Sequence, residues 1–171
     1  MEETYAALNK AWQSTCRVLF GQETCSLTKC EGWLKEYMEG LQIEKSVFSG
    51  KPVVFSMDSY PSSAKFASFE KVVAGKKFTP LTLNEMKDID SVVEAISERV
   101  FYTGNVVLGH SSHVEDSCNV QDSHYVLGSS GVVDSKYVAF SRHVRRSEYV
   151  FGQHGADKDI FVVKCTGAEM K

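Results

Sequence analysis

The sequence has only three prolines in 171 residues and no apolar run long enough to cross a bilayer. It has no excess of one charge. Nineteen Lys and Arg stand against 22 Asp and Glu, a formal charge of -3. That balance gives no electrostatic case for nucleic acid or an anionic membrane as partner. There is no C-x-x-C pair and no G-x-S-x-G elbow, and "GKPVVF" and "GKKFTP" lack the strand-loop-helix setting of a phosphate loop. The opening "MEETYAALNKAWQST" is acidic and polar, unlike a secretory signal.

Cysteine is present but irregular: Cys16, Cys25, Cys30, Cys118 and Cys165. The odd number and the spacing predict free thiols in a reducing, cytoplasmic compartment. A zinc site from Cys16, Cys25 and Cys30 would lack a close pair and a nearby histidine.

The first hundred residues read as a mixed helical region. Tyr5, Leu8, Trp12, Cys16 and Leu19 keep helical spacing, and Gly21 ends that helix. Thr28 and Glu31 predict a capping box for a second helix, with Trp33, Leu34, Tyr37 and Met38 apolar and Gly40 as the stop. "KSVFSGKPVVFSM" predicts a hairpin turning at Ser49 to Lys51, and "FASFEKVV" a short strand. A third helix follows the Thr82/Glu85 capping box. Its stripe of Met86, Ile89, Val93, Ile96 and Val100 needs a cover.

The strongest signal begins near residue 105. Val114, Val120, Val126, Val132, Val138, Val144 and Val150 lie six apart, and Ser111, Ser117, Ser123, Ser129, Ser135, Ser141 and Ser147 keep the same interval. A six-residue period drifts around a helix, so the repeat predicts a solenoid. Tyr-Val recurs only every twelve, which sets the unit at a flattened coil of two short strands and two tight turns. An eighteen-residue triangular coil ranks second. Valine and turn serine point inward, strands are about three residues long, and Asp116, Asp122 and Asp134 are turn residues.

The two sides of such a coil differ. One carries Tyr125, Leu127, Tyr137, Ala139, Tyr149 and Phe151, an aromatic face for the third and N-terminal helices or for a protein partner. The other carries Asn119, Gln121, Gly131, Val133, His143 and Arg145. Arg142, Arg145 and Arg146 suggest a basic patch for an anion or acidic partner. "GADKDIFVVKC" suggests a closing strand from Ile160 to Cys165.

All five histidines fall in or beside the repeat. His113 and His143 are the candidate catalytic groups and His110 and His113 the candidate metal ligands. The columns separate His113 from His143 and put His124 and His154 in turns. Shared use of His113 and His143 then needs two subunits. No cofactor is implied.

The repeat resembles short-period β-solenoid proteins as a class. Hexapeptide-repeat acyltransferases place their small residue two before the aliphatic one, whereas serine sits three before valine in this chain. A twelve-residue coil with inward serine is also similar to some insect-type antifreeze solenoids, which use a threonine face absent from this sequence.

The expected fold is α+β. Residues 1–100 form a helical and mixed capping region and 101–171 a β-solenoid with a C-terminal strand, in one compact domain. The expected function is a non-enzymatic structural or protein-interaction module, assembling through the solenoid face or ends, by self-association or with a protein partner. The alternative is a hexapeptide-like β-helix enzyme, acyltransferase-like or metal-dependent, with an intersubunit histidine site.

Overall fold

The computed structural model describes residues 2–38, 40–56, 59–75, 80–97 and 99–169. Four helices and a small strand region precede a parallel β-solenoid. Helix α1 (Glu2–Phe20) buries Leu8, Ala11, Trp12 and Cys16. Gly21 ends it at φ 75°, its amide bonded to the Arg17 carbonyl, because a glycine enters the left-handed region without strain.

Helix α2 (Leu27–Lys35) differs from the expectation. It starts after Ser26, and Thr28 turns to meet the Tyr5 hydroxyl rather than capping the helix. Its inward residues are Leu27, Cys30 and Leu34, while Trp33 and Tyr37 are exposed.

The hairpin is present one step earlier than its sequence suggests. Strand β1 (Gln42–Lys45) pairs antiparallel with β2 (Pro52–Phe55). "FASFEKVV" splits into strand β3 (Phe66–Ser68) and helix α3 (Phe69–Ala74). The Thr82/Glu85 capping box forms, but on a single 3₁₀ turn (Leu83–Met86), followed by α4 (Ile89–Ser97). The expected cover for the solenoid holds for the N-terminal helices and is corrected for the third. Ile89, Val93 and Ile96 of α4 remain exposed, whereas α1 and α2 lie on the aromatic face.

After β4 (Tyr102–Gly104), which pairs with β3, the coils begin. One sheet holds β6 (Ser112–Glu115), β8 (His124–Leu127), β10 (Lys136–Ala139), β12 (Glu148–Phe151) and β14 (Ile160–Val163). The other holds β5 (Val107–Leu108), β7 (Cys118–Gln121), β9 (Ser130–Val133), β11 (Arg142–Arg145), β13 (His154–Asp157) and β15 (Thr166–Glu169). Every register pair between neighbouring coils from β6 onward is twelve residues apart, as with Val126 and Val138. The twelve-residue coil is the observed unit.

Valine and serine fill the interior. Val120, Val126, Val132, Val138, Val144 and Val150 are nearly fully buried, and Ala156 and Val162 continue the column. Each fully buried valine contributes about 2 kcal/mol. The serines carry the corners. Ser129 donates to the Leu127 carbonyl at 2.8 Å and accepts the Ser141 amide at 3.0 Å. Ser135 repeats this with Val133 and Ser147. Each of these inward hydroxyls thus joins its own turn to the next coil, so its burial leaves neither the hydroxyl nor that corner amide unpaired.

From β6 onward the strands are four residues long rather than three, and the reason lies in the backbone. His113, Asn119, Tyr125, Tyr137, His143, Tyr149 and Phe161, each just before the inward residue, have φ between 54° and 60°. A left-handed residue inside the strand breaks the alternation of side chains. Lys136 and Glu148 can therefore head their strands without entering the core.

Candidate interaction surfaces

The left-handed residues on one side form a ring ladder. His113 stacks on Tyr125 at 4.5 Å between centroids, Tyr125 on Tyr137 at 5.3 Å, Tyr137 lies 5.0 Å from Tyr149, and Tyr149 stacks on Phe161 at 4.8 Å. Beside it, Leu127, Ala139, Phe151 and Val163 meet α1 and α2. Trp12 meets Phe151 edge-on at 5.2 Å. All six residues expected on the aromatic face lie there. The ladder rings remain half-buried, and the company they need is supplied largely by the chain's own helices.

A glycine makes that docking close. A Cβ at Gly152 would stand 2.7 Å from the Leu34 carbonyl oxygen, and Gly152 has φ 63°. Both facts require glycine where α2 crosses the corner.

The arginines separate. Arg142 is buried and donates to the Gly40 carbonyl at 3.0 Å. Arg146 makes a forked pair with Asp157. Arg145 is exposed on the opposite side of the coil from the ladder. The three do not share one solvent-facing patch, because they occupy the first, fourth and corner positions of one half-coil.

His113 and His143 lie in opposite sheets, as their columns predict, while the turn placement of His124 and His154 is corrected. His124 heads β8 and His154 heads β13, so neither lies in a turn. His143 faces His154 on the polar side at 5.4 Å between ring centroids. Ser112 and His124 are register partners, and the Ser112 hydroxyl lies 2.8 Å from His124 Nδ1 and 3.1 Å from His113 Nδ1. His113 Nε2 lies 3.5 Å from the Glu3 carboxylate of α1. Counting twelve back from His124 finds this cluster in the sequence. His110 donates its backbone N–H to Asp122 at 2.9 Å. That bond, then one from Gln121 and the nearby imidazoles, hold the Asp122 carboxyl below the usual aspartate range. Among the described residues no group of three His, Cys, Asp or Glu is placed to hold a metal ion.

The cysteine reading is corrected as well. Cys25 and Cys30 form a disulfide around the start of α2, while Cys16, Cys118 and Cys165 are free. The disulfide also takes Cys25 and Cys30 out of the zinc set that the sequence already disfavoured. The pairing escapes sequence reading because a five-residue separation alone does not fix the turn that joins the two sulfurs. Trp12 and Gln13 both donate to the Cys25 carbonyl and hold that turn against α1.

Two surfaces have no cover among the described residues. One is α4 with its neighbours, where Val93, Ile96 and Val100 line a cleft of about 280 Å³ with Pro61 and Tyr102. The other is the C-terminal end of the solenoid, where β14 and β15 are the terminal strands of their sheets. No helix among the described residues is long and apolar enough to cross a membrane. No family model, curated protein or solved structure matches this chain.

Proposed function

We propose that this protein is a non-enzymatic structural and protein-interaction module that assembles through the end of its solenoid. The observation that supports this reading is that β14 and β15 each have one strand neighbour among the described residues. An open sheet edge offers backbone donors and acceptors to another chain. The aromatic face is a weaker choice for docking, since α1 and α2 occupy it. The inward serines are committed to structural bonds and are not available as nucleophiles. Replacing Thr166, the first residue of β15, by proline tests the reading. Association of the protein, with itself or with another protein, disappears while the melting temperature holds. Association that survives Thr166→Pro contradicts it.

One observation favours a second reading. Ser112 is exposed and meets two imidazoles, one of them beside Glu3. A hydroxyl between two such bases is a candidate nucleophile for acyl transfer. In this reading His113 acts with His124 of the same chain rather than with His143 across subunits. Labelling of Ser112 by a fluorophosphonate, lost in His124→Ala, would support the enzyme. An unlabelled Ser112 excludes it.

A further inference from the structure

We infer that this protein binds a monocarboxylate with an apolar chain, in a cavity between the end of α2, the β1–β2 ribbon and one corner of the solenoid. The cavity holds about 400 Å³. It lies apart from the strands on which the interaction reading rests.

One corner of the coil makes the floor. Asp116, Gly128 and Phe140 are the residues that follow β6, β8 and β10. They lie twelve apart, so each is one strand spacing, about 4.8 Å, from the next. The amides of Gly128 and Phe140 bond the Glu115 and Leu127 carbonyls of the coil before. The corner after these, Gly152, lies under Leu34 of α2. Helix α2 then ends at Lys35, whose Nζ stands 4.6 Å from the centre of the Phe140 ring. Of α2, only this last residue lines the cavity. Gly128 leaves the middle of the floor without a side chain. A Cβ there would stand 2.9 Å from the Phe140 ring, on a backbone at φ 55°.

The roof comes from the chain that leaves α2. Met38, Leu41 and Ile43 line it, with Val54, the register partner of Ile43 across the ribbon. Asn105 pins this ribbon to the start of the solenoid. It exchanges bonds with the Val54 backbone at 2.8 and 2.9 Å. Small-molecule pockets hold about 300–1,000 Å³ and are mostly apolar with a few placed polar groups. This cavity has that size and that lining.

The charged groups are few and unevenly placed. Arg142 heads β11, is only 6% exposed and lines the cavity. Its Nη2 donates to the Gly40 carbonyl at 3.0 Å, which sets the guanidinium between roof and solenoid. The residue is out of pattern. Cys118 and Ser130 hold the same place in β7 and β9, are small, and are buried too. Arginine keeps its charge when buried, and its planar fork matches a carboxylate. Lys35 stands at the same end over Phe140, and also reaches Glu31 of its own helix. Among the described lining residues the acidic one is Asp116, exposed and two corners away, about 10 Å.

Two cations at one end and a carboxylate at the other orient a ligand one way. The anionic head goes to Arg142 and Lys35. The apolar chain runs over Gly128, beneath Met38, Leu41 and Ile43. A second cavity of about 350 Å³ shares Ile43, Val54 and Asp116 and continues toward Val107 and Val114. It takes the tail of a longer chain, and Glu115 and Asp116 at its edge keep the head away. A nucleotide or sugar phosphate fits poorly, since its polar groups would face Met38, Leu41 and Phe140.

Isothermal titration calorimetry of the full chain with decanoate, below its micelle concentration, tests the site. Decanol and decylammonium are the matched neutral and cationic probes. Decanoate binds one per chain and saturates, and each of the other two binds about tenfold more weakly or less. Ile43→Trp, at a largely exposed strand position, fills the cavity and abolishes binding at an unchanged melting temperature. Arg142→Gln lowers the affinity about tenfold. Because Arg142 also ties down Gly40, Lys35→Gln serves as the second variant, and it weakens decanoate but not decanol. No saturable binding of decanoate, decanol bound as tightly as decanoate, or an affinity unchanged in Ile43→Trp would each overturn the assignment. The interaction reading is tested at Thr166 and stands or falls separately.

Discussion

The Ser129 hydroxyl accepts the backbone N–H of Ser141, twelve residues ahead, at 3.0 Å. It gives its own proton to the Leu127 carbonyl. One small side chain thus closes a corner and holds the next coil. Replacement by alanine strands the Ser141 amide in a buried corner. An unsatisfied buried donor costs about 1–3 kcal/mol. Urea unfolding of Ser129→Ala should show a loss of that size. An unchanged midpoint would mean that the corner bonds contribute nothing net.

Tyr137 sits mid-ladder between Tyr125 and Tyr149 and packs against the cluster built by α1 and α2. Tyr137→Lys removes two ring contacts and puts a charge beside that cluster. A loss of about 2–4 kcal/mol is expected, as for deletion of a packed aromatic. Retained stability in urea would show that the helices do not depend on the ladder.

Gly152→Ala tests the helix-to-corner contact from the other side. The added methyl would meet the Leu34 carbonyl at 2.7 Å, on a backbone at φ 63°. The strain and the displaced helix cost about 1–3 kcal/mol together. Calorimetry should give a lower melting temperature than wild type. Gly40→Ala, with open space around its Cβ, is the control and should melt as wild type does.

The solenoid was largely legible in the sequence because its constraints repeat. A valine column and a serine column state the interior directly, and Tyr-Val at twelve states the coil. Three things were not. The left-handed residue before each valine is invisible when tyrosine occupies it, since that backbone disfavours branched and bulky side chains. Strand length and the Ser112–His124 pairing both follow from it. The choice between α4 and α1 as cover was equally hidden. Both are amphipathic, and periodicity says which face is apolar but not what it meets. The Cys25–Cys30 bridge depends on a local turn held by Trp12 and Gln13, a contact between distant residues.

Asp122 gives a pH prediction. Its folded carboxyl is held below the ordinary range, chiefly by the His110 N–H. A lowered folded value stabilises the bonded form above the unfolded value, and that contribution is lost as pH falls through the folded value. The His110 amide resonance should therefore move with a midpoint below the ordinary aspartate value near 4. A midpoint at or above that value would show that the bond does not hold the carboxylate.

The twelve-residue, two-sheet coil is the central claim, since the inward valine column and the two unlike faces follow from it. Val133 and Arg145 are register partners on adjacent strands of the polar face. Neighbouring strands lie about 4.8 Å apart, within the reach of a disulfide. In a Cys165→Ser background, the double variant Val133→Cys/Arg145→Cys should lose two protons by mass on mild oxidation and form an intramolecular bridge. An eighteen-residue coil would set Val133 beside Phe151 instead. Cys16 and Cys118 stay free in either case, so failure of the 133–145 bridge, with four free thiols after oxidation rather than two, would contradict the account.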